Sequence, residues 1–201
     1  MIPVIKKLLA SAGTLAKTLV KDNTQRAKAW FSSSLEKLKG TSALKPGQQS
    51  TQIRNTIKSD DIGSMFMFYY DPKTKDKLPY YDRFPVIFVV DMAQGGYYGI
   101  NLHYLPPFAR AKLMNALYDV QNTATLEKNR KLALSYRMLI GASRLNLFKP
   151  CFKHYLFTHV RSKFIKVEYE EWDTVAMLPL QQFQKASADK VWAESLKIAG
   201  R

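Results

Sequence analysis

Two strand-like runs on either side of a glycine pair constrain this chain more than any other feature: Val86-Ile87-Phe88-Val89-Val90, then Gly95-Gly96, then residues 97–104. β-Branched and aromatic side chains suit a pleated backbone, and a glycine pair allows a tight reversal, so the pattern predicts an antiparallel hairpin. The first run is apolar on both faces, which predicts a strand central in a sheet or barrel. The second alternates, with Tyr98, Ile100, Leu102 and Tyr104 on one face and Tyr97, Gly99, Asn101 and His103 on the other.

Further strand signals surround the hairpin. Residues 65–70 are apolar and aromatic, Asp71-Pro72-Lys73-Thr74-Lys75 is turn chemistry, and residues 164–169 read as a fourth strand. Helical spacing follows Pro106-Pro107, where Phe108, Ala111, Leu113, Met114, Leu117 and Tyr118 form an apolar band. A second helix is predicted over residues 126–145, with Leu132, Tyr136, Leu139 and Ile140 turned inward. Glu170-Glu171-Trp172-Asp173 opens a short helix with acids at its positive end, and a terminal helix is predicted over residues 188–198. The fold class is therefore α+β: a small antiparallel β-sheet or barrel with helices inserted and appended.

The N-terminal region is organised differently. Ile5, Leu8, Ala12, Leu15 and Leu19 follow 3-4-3-4 spacing, while Lys7, Lys17, Lys21 and Lys28 lie largely off that stripe, so residues 1–39 read as a basic amphipathic helical arm. Such a helix docks on its own domain or a partner, or lies on a membrane or DNA. A cleaved targeting segment is a further, weaker reading of this basic, acid-poor stretch. Residues 40–58 are rich in Gly, Pro, Ser and Gln and predict a flexible linker, leaving 59–201 as the compact domain.

Charge narrows the function. The 201 residues carry a net +15, and the excess is regional. Residues 1–60 hold eleven Lys/Arg against three Asp/Glu, 61–120 six against six, 121–166 ten against one, and 167–201 four against six. Clustered cations gain from counterion release on a polyanion, so the natural partner is a nucleic-acid backbone or an anionic membrane. The candidate DNA-binding set is Lys128, Arg130, Lys131, Arg137 and Arg144 on the predicted helix, with Lys149, Lys153, Arg161, Lys163 and Lys166 after it. No uncharged apolar run reaches the roughly 18 residues a spanning helix needs, so a soluble protein without a membrane partner is expected. The single cysteine, Cys151, allows no internal disulfide and favours a reducing compartment.

Catalytic constellations are few. Cys151, His154 and His159 have a C-x2-H-x4-H spacing, but a closed zinc site normally takes four ligands; an apolar thiol and two histidines in a basic helix is the plainer reading. Nothing orients a histidine as base for a Cys151 nucleophile. Asp71, Asp82 and Asp91 are potential Mg²⁺ ligands, yet Asp71 belongs to a turn and Asp82 neighbours Arg83 as an expected ion pair. Gly95-Gly96-Tyr97-Tyr98-Gly99 lacks the Gly-Lys-Ser/Thr of a phosphate-binding loop. No catalytic residue, metal, cofactor or small-molecule substrate is assigned, and a non-enzymatic role is expected.

Tyrosines are the remaining signal. Tyr69, Tyr70, Tyr80, Tyr81, Tyr97 and Tyr98 are too many for every hydroxyl to be buried with ease. Exposed ones can stack on unpaired bases or anchor a protein interface, and packing is favoured, with Tyr80, Tyr81, Tyr97 and Tyr98 as candidate partner-binding residues.

Taken together, residues 71–85 (Asp71-Pro72-Lys73-Thr74-Lys75-Asp76-Lys77-Leu78-Pro79-Tyr80-Tyr81-Asp82-Arg83-Phe84-Pro85) and Gly99-Ile100-Asn101-Leu102-His103-Tyr104-Leu105-Pro106 resemble a family of minor virion proteins of T-even-type tailed bacteriophages, the DNA end protectors or head completion proteins. The blocks Lys149-Pro150-Cys151-Phe152-Lys153-His154-Tyr155-Leu156 and Glu171-Trp172-Asp173 are similar to it too, so the resemblance spans roughly residues 60–195. It implies a virion protein, present in the host cytoplasm during assembly. Such a protein binds the ends of packaged linear duplex without sequence preference, shields them from host exonuclease, helps complete the head, and meets other head, neck or tail proteins. The alternative is a baseplate, neck or tail component that docks neighbouring subunits without affinity for free DNA.

Overall fold

The computed structural model describes residues 53–54, 56–122, 137–141, 146–177 and 181–199. The expected hairpin is there: β4 (Val86–Ala93) runs into β5 (Gly96–Asn101) with Ala93 opposite Gly96. Gln94 and Gly95 make the turn, with Gly95 at φ 72°, where a side chain would be strained. Gly96 has a different role. A methyl group there would overlap the carbonyl of Tyr155 on the neighbouring strand, so only glycine permits this approach.

Six strands form one antiparallel sheet. In spatial order they are β1 (Ile53–Arg54), β7 (Phe164–Val167), β2 (Met65–Met67), β4, β5 and β6 (Phe152–Leu156). β1 and β6 are the two ends, so the sheet stays open rather than closing into a barrel. β3 (Tyr81–Asp82) and β8 (Phe183–Gln184) pair as a separate two-stranded ribbon. Ile53 and Arg54, expected in the linker, thus join the sheet through Ile165 and Phe164, and Ile57 is only 2% exposed. Compact structure therefore extends N-terminally past residue 59. The expected arm, residues 1–39, lies outside the described residues, as do Leu132 and Tyr136 of the predicted second helix; residues 137–141 are helical, with Leu139 buried.

The all-apolar first run is explained by two cores, one on each face of β4. On one face Met65, Met67, Val86, Phe88, Val90 and Ile100 meet Leu113, Met114 and Leu117 of α1 (Pro107–Asn122), Trp172, Val175 and Ala176 of α2 (Trp172–Met177), and Val191 of α3 (Ala188–Ala199). On the other, Phe66, Phe68, Ile87, Val89, Tyr97, Tyr155 and Phe164 form an aromatic cluster closed by Ile57 and by the partly buried Ile62, Phe157 and Val160. Side chains of this size each contribute about 1.5–3 kcal/mol when fully buried. Tyr97 stacks on Tyr155 at 5.6 Å and Phe68 meets four other rings edge-on or tilted, so the second core rests on aromatic geometry.

Two expected elements differ. The strand predicted over residues 97–104 stops at Asn101, because the Asn101 side chain accepts from the His103 backbone N–H at 2.9 Å and starts a 3₁₀ turn, Leu102–Tyr104. The segment carrying Cys151, His154 and His159 is not a basic helix. Cys151 ends a 3₁₀ turn (Asn146–Cys151), His154 lies on β6, and His159 closes a second turn (Phe157–His159).

Candidate functional site

A cavity of about 320 Å³ opens between the turn at residues 71–79, the β3 ribbon and β6. Pro72 sets the turn going, and the turn is fixed by side chains. Lys75 Nζ donates to Asp71 at 3.0 Å, and Lys185 Nζ, from just beyond β8, donates to the carbonyls of Lys75, Asp76 and Leu78 at 2.7, 3.1 and 3.2 Å. Lys185 makes this reach from a left-handed backbone, φ 70°. His159 Nδ1 donates to the Asp71 carbonyl at 2.9 Å, tying the turn to the segment after β6.

The inner wall is polar, and its carboxylate is fully paired. Asp82, at the end of β3, accepts from His103 Nδ1 at 2.6 Å, from Asn101 Nδ2 at 3.2 Å, and from the backbone N–H groups of Phe84 and Gln182 at 3.1 and 3.3 Å. A carboxylate only accepts, so Nδ1 of His103 carries the proton; Nε2 is buried with no hydrogen-bond partner. Burial raises the Asp82 pKa, but attraction to His103 and the bonds from His103, Asn101 and Phe84 outweigh it, and the net direction is down. Asn101 Nδ2 also donates to Tyr155 Oη at 3.1 Å, and Trp192 of α3 donates to the His103 carbonyl at 2.9 Å. This network clamps the hairpin end, β6 and the terminal helix together around the cavity floor.

Lys153 gives the cavity its charge. From β6 its ammonium sits 4.2 Å from the centroid of the Tyr104 ring, a cation–π contact, with no carboxylate partner among the described residues. Burial pulls its pKa below the usual lysine value. Lys73, Thr74 and His154 are exposed at the rim, whereas Tyr104, Tyr155, Asn101 and Asp82 are buried at the base.

The expected DNA-binding residues are spread over the molecule. Lys128, Arg130, Lys131 and Arg144 lie outside the described residues. Arg137, Lys149 and Arg161 are exposed and Lys163 and Lys166 half-buried; Lys166 is on β7, opposite Phe66. Lys153 and Lys166, thirteen positions apart in sequence, sit on strands separated by β2, β4 and β5, which places them about 19 Å apart at the usual strand spacing. The charge after residue 149 is therefore spread toward opposite edges of a sheet, not along one helical face.

The tyrosines divide. Tyr97 is fully buried, and burial pushes its hydroxyl pKa far up, so it is a core residue rather than a surface anchor. Tyr80 and Tyr81 are half-buried and line the cavity. Tyr98 stacks on Phe152 at 5.2 Å on the edge strand, and Phe152 is 37% exposed. Tyr104 and Tyr155 also line the cavity; no local pattern marks them, and only the fold brings them to its wall.

The remaining candidates are accounted for. The expected Asp82–Arg83 ion pair does not form, since the Asp82 carboxylate is taken by His103, Asn101 and two backbone N–H groups; Arg83, in the bend after β3, instead lies over Tyr69, 5.2 Å from its ring centroid, and donates to its hydroxyl at 2.9 Å. Asp91 is exposed and accepts from Met92 N–H. Burial pushes the Cys151 thiol up to about 12, so it is protonated and unreactive near neutral pH. Among the described residues no three His, Cys, Asp or Glu side chains are grouped to hold a metal ion, and no helix is long and apolar enough to cross a membrane.

A family model described as phage T4 terminal DNA protecting protein matches residues 12–195. No curated protein and no solved structure matches the chain.

Proposed function

The chain belongs to the phage T4 terminal DNA protecting protein family, and on that premise we propose that it is a non-enzymatic virion protein that binds the ends of packaged linear DNA, shields them from host exonuclease and assists head completion. The observation that carries this reading is the segregated charge: ten Lys/Arg against one acid over residues 121–166 of a chain with net +15. Binding an end needs phosphate contacts but no base-edge readout, and Lys/Arg surfaces supply those. The contacts are assigned to Lys128, Arg130, Lys131, Arg137, Arg144, Lys149, Lys153, Arg161, Lys163 and Lys166. Of the expected partner-binding tyrosines, Tyr98 is assigned to neighbouring head, neck or tail proteins.

Exonuclease digestion of linear duplex, with circular DNA as competitor, tests the reading. End recognition predicts protection that circular DNA does not remove. Protection lost in proportion to added circle indicates general basic binding, and no protection at all points to a purely subunit-docking role in neck, tail or baseplate.

A further inference from the structure

We propose that the cavity between the 71–79 turn and β6 captures a single unpaired terminal nucleotide of a DNA end, its base against the tyrosine rings and its phosphate on Lys153 and Lys73. The inference rests on the DNA-end reading and assigns it a site. Tyr70, Tyr80, Tyr81, Tyr104 and Tyr155 line the cavity. Tyr70 Oη accepts from Leu156 N–H at 3.2 Å and Tyr155 Oη from Asn101 Nδ2 at 3.1 Å. With those two hydroxyls engaged, the half-buried rings of Tyr80 and Tyr81 are the aromatic surface a base can meet.

The charges agree. Asp82, the acid in the wall, has its oxygens occupied by four donors, so it presents little acceptor capacity to the cavity. Among the described residues Lys153 has the Tyr104 ring and no carboxylate as counterpart, and its desolvation is offset when an anion enters. Lys73 stands exposed at the rim, where a following phosphate would pass. A volume of about 320 Å³ is at the small end of ligand sites, suited to one nucleotide and not to an intact base pair. The end must therefore fray or carry an overhang. An acidic protein segment is the competing occupant, but it would leave the ring faces without a flat partner.

The test uses the full chain and two probes: a DNA hairpin with one open end carrying a one-nucleotide overhang, and a closed dumbbell of equal length with no end. The expected result is that Lys153→Gln weakens hairpin binding at least about tenfold more than it weakens dumbbell binding. Lys163→Gln with Lys166→Gln should weaken both alike. If wild-type protein prefers the open hairpin and Lys153→Gln keeps that preference, the cavity assignment falls while the DNA-end reading stands; if the wild type binds neither probe, the DNA-end reading itself falls. Should Lys153→Gln misfold, 5-iododeoxyuridine at the terminal position of the hairpin serves with wild-type protein. Photocrosslinks to Tyr70, Tyr80, Tyr81, Tyr104 or Tyr155 support the cavity, and crosslinks confined to residues elsewhere overturn it.

Discussion

Nδ1 of His103 lies 2.6 Å from Oδ2 of Asp82, with each side chain 1% exposed. The two residues are 21 positions apart, and their contact joins the β3 ribbon to the 3₁₀ turn that ends the central hairpin. Because Asn101 and two backbone N–H groups converge on the same carboxylate, the site fixes the base of the cavity as well as the topology around it.

Removing the carboxylate strands these donors in a dry setting. Asp82→Ala should cost about 2–5 kcal/mol in urea unfolding; a loss below about 1 kcal/mol would show that the network adds little. The pH dependence has a definite sign. The folded pKa of Asp82 lies below its ordinary value of 3.8, so its contribution is fully present above that value and is lost as pH falls through the lower folded pKa. Wild-type stability should therefore contain an acid-labile component below about pH 3.8 that Asp82→Asn lacks.

Lys185 braces the cavity turn from a strained backbone. Lys185→Ala removes three hydrogen bonds and keeps the left-handed conformation, whereas Lys185→Gly removes the bonds and relieves the strain. The alanine variant should be the less stable of the two by about 1 kcal/mol in thermal unfolding. In both, trypsin should cut faster after Lys73, Lys75 and Lys77; unchanged cleavage would mean that the turn holds without the brace.

Truncation separates sheet from arm. A chain starting at residue 53 keeps β1 and Ile57, while one starting at residue 59 loses the strand paired with β7 and opens the aromatic core beneath Ile57. The shorter chain should be less stable by about 2–5 kcal/mol, the range for emptying a buried isoleucine site. Equal stability of the two truncations would show that β1 and Ile57 are dispensable.

Binding to linear duplex should weaken steeply with salt. With about six phosphate contacts, the slope of log affinity against log salt concentration should be about −5. Lys163→Gln should make it shallower by about one unit. A nearly flat response would indicate that the basic residues serve subunit contacts instead.

Local pattern made the elements legible. The two-faced apolar run at Val86 to Val90, the glycine turn and the helices after Pro106 and from Ala188 are written in period and turn chemistry, which neighbouring residues decide. The same local logic misread Asp82–Arg83, since the carboxylate is taken by partners distant in sequence, His103 and Asn101, and it placed Tyr97 at the surface because tyrosine content does not say which ring the sheet will cover. It also read residues 149–166 as one charged stretch, and the strand order puts Lys153 and Lys166 on opposite sides of three strands.

By itself, then, the sequence determined an antiparallel α+β architecture and a polyanion-seeking charge, because periodicity and composition are summed along the chain. Only the tertiary structure decided the Asp82–His103 clamp, the second aromatic core and the pairing of Lys153 with Tyr104, because each joins residues whose distance is set by strand order and side-chain facing rather than by separation in sequence.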